Sequence, residues 1–300
     1  MELLYHKGEN FGDAINPMIF DRLFGALMEE NDGIEILGIG SILGHARPSK
    51  ECKKFIVFSS GFAGGDSSTY GSVPELNDKF EIVCVRGKKT AKALGIEETY
   101  AIADGALLVS RLLDIPAQEK KYKYSYMPHV GSMNLYKKWP ELVESLGIHF
   151  IDPTKDPMQV LKEMKQTHVL MTEAMHGAII ADSIQLPWIP IKTNQSINEF
   201  KWNDYLETVD LVYLPNETRT LYSKEVLKGV FKKKLQKFRL QAFSFLPTFL
   251  YQIIQNFKVK KVKRNFESFK SKPTYKCKAD KLEELQDKLL AAAERVKGMV

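Results

Sequence analysis

Short apolar runs alternate with stretches of helical periodicity from Glu2 to Tyr213, and this alternation is the strongest constraint on what the chain can fold into. The runs Glu2–Tyr5, Glu35–Ile39, Phe55–Phe58, Glu81–Val85 and Tyr100–Ala103 are too short for helices and read as strands. A second series follows at Tyr122–Met127, His149–Ile151, His168–Met171, Trp188–Ile191 and Leu211–Tyr213. Apolar residues at steps of three and four predict helices over Pro17–Met28, Lys88–Leu94, Leu135–Leu146, Pro157–Gln166, Glu173–Ser183 and Glu199–Thr208. Strands that alternate with helices build parallel sheets of the α/β class.

Several boundaries have a physical cause. Asn16-Pro17 and Asp156-Pro157 read as N-caps followed by proline in the first turn, and Gly95 and Gly147 suit the position just past a helix. Asp114–Lys121 lacks periodicity and reads as a hinge between two doubly wound halves, residues 1–116 and 117–225, with a cleft between them for a ligand. With 44% hydrophobic and 27% charged residues, the chain can bury a core in each half. Cys52, Cys84 and Cys277 have no paired spacing, so neither a disulfide framework nor a zinc cluster is expected, and a reducing, cytoplasmic setting fits. Cys84, in an apolar run, reads as a buried, inert thiol. The N-terminus lacks the pattern of a secretory signal, and no run of about 18 strongly apolar residues is present.

Strand ends on one edge of a parallel sheet are where chemistry gathers. The first three strands each lead into a glycine-containing loop: Lys7-Gly8-Glu9-Asn10-Phe11-Gly12-Asp13, Gly38-Ile39-Gly40-Ser41 and Ser59-Ser60-Gly61. None ends in the Gly-Lys-Ser/Thr of a P-loop. Each is either an ordinary strand-to-helix turn or part of a ligand-binding rim. Arg86, at the end of the fourth strand, either grips a carboxylate or phosphate or makes a salt bridge. Asp104 either caps the helix after it or orients a ligand group. In the second half, His129 follows a strand beside small residues. Glu173, His176 and Gly177 stand together at a strand-to-helix junction, and a histidine there needs an anion nearby to hold a positive charge.

Charge is unevenly spread. Eleven of the 43 basic residues and no acid lie between Val226 and Phe266, so the rest of the chain carries more acid than base. Residues 226–300 therefore read as a basic helical C-terminal extension with an anionic partner, membrane or nucleic acid. Phe231, Leu235, Phe238, Leu246, Phe249, Ile253 and Phe257 recur mostly at helical steps, and Pro247 is expected to kink or split the helix. The pattern fits a core-packed helix with a solvated basic face or a helix lying in the plane of an anionic leaflet. No aromatic stacking platform supports nucleic acid, and the leaflet is the expected partner.

Taken in order, Gly8-Glu9-Asn10-Phe11-Gly12-Asp13, Leu37–Leu43, Phe58-Ser59-Ser60-Gly61, Val85-Arg86-Gly87, Ala103-Asp104-Gly105-Ala106, Pro128-His129 and Glu173–Asp182 resemble the polysaccharide pyruvyltransferase family, nearest the branch of the succinoglycan ketal-forming enzyme. The resemblance implies two facing Rossmann-like domains, as in two-domain (GT-B) glycosyltransferases. It also implies phosphoenolpyruvate as donor; no metal cluster is visible in the sequence, and the reaction needs neither a metal nor a further cofactor in principle. The acceptor would be a nucleotide-linked or lipid-linked saccharide destined for a surface or capsular polysaccharide, on the inner face of the cell membrane. His176, Glu173 and Asp13 are then the catalytic candidates. Asn10, Gly12, Ser41, Arg86, His129 and Gly177 are the substrate-binding ones. Many members carry Arg-Leu before His-Gly; here those positions are Ala174 and Met175, so Arg86 or a lysine must supply the cation. The tail beyond about residue 225 matches no part of the family pattern. A nucleotide-sugar glycosyltransferase of the same architecture is the alternative, and a non-catalytic adaptor driven by the basic segment is a third reading.

Overall fold

The computed structural model describes residues 1–29, 33–65, 71–227, 229 and 248–300, with side chains from residue 255 in the last segment. Two parallel sheets form the frame. The first holds β1 (Glu2–Leu4), β2 (Ile34–Leu37), β3 (Lys54–Ser60) and β4 (Phe80–Val85), in the order β1-β2-β3-β4. The second holds β5 (Tyr122–Met127), β6 (His149–Phe150), β7 (Thr167–Thr172), β8 (Trp188–Lys192) and β9 (Asn216–Glu217), in the order β6-β5-β7-β8-β9. Every named pair is parallel, as the alternation of strands and helices requires. The connecting helices are α1 (Phe11–Ala14), α2 (Asn16–Phe24), α3 (Lys88–Leu94), α4 (Val109–Leu112), α5 (Val130–Leu135), α6 (Trp139–Glu144), α7 (Pro157–Lys165), α8 (Met175–Ser183) and α9 (Glu199–Thr208). Two longer helices, α10 (Thr248–Phe269) and α11 (Ala279–Lys297), follow.

The second sheet reverses direction at β5, which pairs with β6 on one side and β7 on the other. A crevice opens at such a switch point, beyond the strands' C-terminal ends. His129 follows β5 there, and Glu173 follows β7. The named strands of the first sheet run in sequence order with no reversal, so the doubly wound order expected of both halves is present only in the second.

Other differences have local causes. The expected strand Tyr100–Ala103 shrinks to one bridge, Val85 to Ala101, because Asp104 opens a 3-10 turn at Gly105–Leu108. Leu211–Tyr213 joins no ladder, and β9 pairs with Ile191 and Lys192 instead. The helix expected over Leu135–Leu146 is shorter, α6 at Trp139–Glu144, and a separate helix, α5, ends at Leu135. Pro140 sits in the first turn of α6, where its missing N–H breaks no bond. Asp156 caps α7 through Gln159 N at 3.1 Å, and Gly95 ends α3 at φ +68°. Asn16 is not a cap. Its Oδ1 accepts from Ile39 N at 2.7 Å and its Nδ2 donates to the carbonyls of Asp13 and Ile39, fastening the loop after β2 to the start of α2.

The main core joins both halves. Phe20, Phe24 and Phe58 of the first pack in one cluster with Ala178, Ile179 and Ile180 of α8. The described C-terminal residues belong to this frame rather than to a separate extension. Leu282, Leu285, Leu289 and Val296 of α11 enter the same cluster beside Val83 and Cys84, and Gln286 donates to Leu107 O at 2.7 Å. Val262, Phe266 and Phe269 of α10 pack on Tyr126, Trp139 and Ile189 of the second half. The opposite face of α10 exposes Lys260, Lys261 and Arg264, and Phe257 is 73% exposed. Phe231, Leu235, Phe238, Leu246 and Pro247, and the side chains of Phe249 and Ile253, lie outside the described residues. All three cysteines are buried and free, and burial pushes the Cys84 thiol up to about 12. No described helix is long and apolar enough to cross a membrane.

Candidate active site

A cleft of about 310 Å³ opens where strand ends from both sheets meet, near the lower end of the range for small-ligand sites. The segments that follow β1 and β2 supply Asn10, Asp13 of α1 and Ser41; those that follow β5 and β7 supply His129, Glu173 and His176 of α8. These are six of the nine residues that the sequence singled out. The start of α9 adds Asn198 and Lys201. Four of the six histidines of the chain line the cleft: His6, His45, His129 and His176. Among the described residues, no group of three or more His, Cys, Asp or Glu is placed to hold a metal ion.

Local hydrogen bonds aim these groups. Asn10 caps α1: its Oδ1 accepts from Gly12 N at 3.1 Å and its Nδ2 donates to Asp13 Oδ2 at 3.1 Å. Burial raises the Asp13 carboxyl above its usual range, and the nearby His176 works against that rise. His176 lies in the first turn of α8 with its ring against the backbone of Gly12. A β-carbon at Gly12 would lie 1.9 Å from His176 Nδ1, so only glycine permits this approach. Burial pushes His176 down to about 4, so it is neutral at pH 7. His176 Nε2 stands 3.9 Å from Asp104 Oδ2. The other oxygen of Asp104 caps the turn that follows, through Ala106 N at 3.0 Å, as the capping reading expects.

His129 caps α5. Its Nδ1 accepts from Gly131 N at 3.0 Å, which leaves the proton of the neutral ring on Nε2. Burial pushes this histidine down to about 4 as well, so at pH 7 it offers an N–H donor rather than a cation. Glu173 is fully buried. Its Oε1 accepts from Thr193 N at 2.6 Å, Thr193 Oγ1 at 3.0 Å and Asn194 N at 3.0 Å; Oε2 accepts from His129 N at 3.3 Å. Glu173 thus ties together the ends of β5, β7 and β8. Asp13, 9% exposed against 0% for Glu173, is the carboxylate more open to the cleft.

Three sequence candidates stand behind the cleft wall. Arg86 is 0% exposed and its guanidinium is occupied: Nε donates to Asp204 Oδ2 at 2.9 Å, Nη1 to Ser41 Oγ at 2.6 Å and Nη2 to Phe62 O at 2.6 Å. Asp204 also accepts from Thr90 N and Oγ1. A β-carbon at Gly61 would lie 2.2 Å from the guanidinium carbon, so that glycine makes room for the arginine. Arg86 reaches the cleft through the Ser41 hydroxyl. Gly12 acts by admitting the His176 ring. Gly177 packs α8 against Thr172 and Met127.

Lys201, like His6, His45 and Asn198, lines the cleft without having been singled out in the sequence. It lies on α9, whose cap Asn198 accepts from Lys201 N at 3.2 Å. Burial, with help from Arg86, pushes its ammonium down to about 8, while Asp13 and Asp104 oppose that shift. The helix itself is predicted to the residue, but its lysine reads as one more solvated charge until the helix is seen to start at the cleft. The site therefore combines an imidazole, a carboxylate, a cation and oriented N–H and O–H donors. That set suits proton transfer to and from a small anionic ligand.

The chain matches the family model described as polysaccharide pyruvyl transferase over residues 36–195, which takes in Ser41, Arg86, Asp104, His129, Glu173 and His176. It is 34% identical over 208 residues to succinoglycan biosynthesis protein ExoV of Rhizobium meliloti (strain 1021). That alignment covers 69% of this chain and 63% of the relative, so the chain spans less than two thirds of the relative's length. No solved structure matches the chain at a significant level. The family match covers more than half of the chain and contains most of the cleft-lining candidates, and the chain belongs to the polysaccharide pyruvyl transferase family.

Proposed function

We propose that the chain transfers pyruvate from phosphoenolpyruvate to a saccharide precursor of a surface polysaccharide, forming a ketal and releasing phosphate. The observation that carries this reading is the meeting of Asp13, His176, His129 and Lys201 in one small cleft of a chain of this family. His176 protonates the methylene carbon of the donor: an imidazolium N–H bond breaks and a C–H bond forms with the enol electrons. C2 becomes electrophilic, and a saccharide hydroxyl adds there as Asp13 takes its proton. The C2–O bond to phosphorus then breaks, with its electron pair leaving on phosphate. A second hydroxyl closes the ketal. Of the two hydroxyl protons, one replaces the proton given to the methylene and the other leaves with phosphate.

The remaining groups bind and orient. Lys201, His129 Nε2–H and the Ser41 hydroxyl receive the donor's phosphate and carboxylate, with Lys201 in place of the arginine absent at Ala174. Negative charge arriving with the donor favours protonation of the neutral His176. Asn10 orients Asp13, Glu173 holds the His129 loop, and Arg86 holds Ser41. The two halves act as facing Rossmann-like domains of the GT-B kind, with no cofactor besides the donor. The exposed basic face of α10, with Phe257, supports docking on the anionic inner leaflet, where a lipid-linked acceptor would lie. Mass spectrometry of nucleotide-linked and lipid-linked saccharides incubated with phosphoenolpyruvate tests the reading. One added pyruvate ketal per phosphate released is expected. Transfer of a sugar with release of a nucleoside diphosphate would reject it.

A further inference from the structure

Two buried polar atoms face each other behind the cleft, and the chemistry above uses only one of their residues. Asp104 Oδ2 and His176 Nε2 are 3.9 Å apart, both shut off from solvent, and neither has a hydrogen-bond partner. Their surroundings are otherwise engaged. Asp104 Oδ1 accepts from Ala106 N, and the nearest guanidinium, that of Arg86, is committed to Asp204, Ser41 and Phe62. An orphaned buried polar atom is costly, and an oxygen and a ring nitrogen left facing each other call for a state in which they pair.

We infer that Asp104 is the positioning carboxylate of His176: it holds Nε2–H, so that Nδ1 is the nitrogen that gives and takes the proton at the cleft. The inference rests on the reading of His176 as general acid. Ring orientation supports it, because the Nδ1 edge lies on the side of Gly12, next to Asp13. A contraction of about 1 Å brings the pair to the 2.7–2.9 Å of a charge-assisted bond. Catalytic hydrogen bonds in ligand-free sites are often long and tighten when substrate binds.

The charges around the pair are consistent with this. Asp13 on α1 favours the imidazolium of His176, whereas Lys201 on α9 and Arg86 after β4 oppose it. Asp104 faces Arg86, Lys201 and Asp204. Burial pushes the Asp104 carboxyl up to about 6 and His176 down to about 4. At pH 7 the carboxylate is mostly ionised and the imidazole neutral, the state in which Oδ2 can accept Nε2–H. The negative charge of a bound donor then favours uptake of a proton from solvent at Nδ1.

Asp104→Asn tests the role, since it keeps the cap to Ala106 and the volume but removes the charge. Nitrogen NMR of the full chain with labelled histidine reads the tautomer directly, with His176 assigned from the spectrum of H176Q. In the wild-type chain, neutral His176 is expected to carry its proton on Nε2 and to titrate at lower pH in D104N. Turnover of D104N should fall roughly 100-fold, with its pH optimum moved to the acid side, and D104E should restore part of it. An Nδ1–H tautomer in the wild-type chain overturns the inference, even if D104N does not fold; so does a titration that D104N leaves unmoved. The spectra need no substrate. Found without ketal formation, the tautomer and shift leave the pairing standing while the proposed function falls. Ketal formation at the wild-type rate by D104N has the reverse meaning.

Discussion

Replacing Arg86 with alanine should damage the fold before it damages ligand binding. The guanidinium and Asp204 are both fully buried, 2.9 Å apart, and two further hydrogen bonds of 2.6 Å run to Ser41 and Phe62. Removing one partner of such a pair strands the other's charge, at about 3–5 kcal/mol. At roughly 2–4 °C per kcal/mol for a chain of this order of size, the melting midpoint should drop by on the order of 10 °C. Lysine at this position keeps the charge but cannot reach three acceptors with one ammonium, and should fall in between. The assay is a thermal melt by circular dichroism, followed by phosphoenolpyruvate titration of the folded variant in the cold. Donor affinity of R86A should change no more than that of S41A, because the arginine touches the cleft only through that hydroxyl. A variant that melts within a degree of wild type yet no longer binds donor would refute this reasoning and return Arg86 to direct ligand contact.

Further outcomes follow from other parts of the structure. Lys201 holds its proton below about pH 8 and loses it above, so kcat/KM for the donor should decline above that pH in the wild-type chain. K201R should stay active to higher pH, and K201M should bind donor poorly throughout; a profile unaltered in both removes the lysine from the site. Gly12→Ala puts a methyl group 1.9 Å from His176 Nδ1, so turnover should fall about 100-fold as the ring shifts; normal turnover would show that the ring need not sit there. Leu289→Ala should lower stability by about 2–5 kcal/mol by denaturant unfolding, and no change would mean that α11 does not belong to the core. Flotation on anionic vesicles should weaken when Lys260, Lys261 and Arg264 become glutamine. Equal flotation on neutral vesicles, or by the variant, would contradict the docking face.

The parallel α/β frame was legible because strand and helix periods differ, and β5, α3 and α9 fall where the pattern puts them. The cleft was legible in six residues because they follow strand ends, a position that topology alone assigns to one edge. Illegible was whatever depends on packing across the chain. Arg86 at a strand end looks the same whether it meets a ligand or Asp204, 118 positions away. Lys201 and α11 act at a distance in the same way: one enters the cleft and the other the core only once the two sheets are in place. Asn16 beside proline carries a capping signature, yet its side chain serves the loop after β2, because Ile39 offers both a donor and an acceptor at that point.

The central claim is that both ketal oxygens come from the acceptor and that the donor's C2–O bond to phosphate is the one broken. Phosphoenolpyruvate carrying heavy oxygen at its bridging position tests this directly, with phosphate and saccharide analysed by mass spectrometry after incubation with the full chain. The account predicts that the label leaves with phosphate while the saccharide gains one unlabelled pyruvate ketal. Label kept on the carbon fragment, or phosphate released with no ketal on any nucleotide-linked or lipid-linked saccharide, would contradict it.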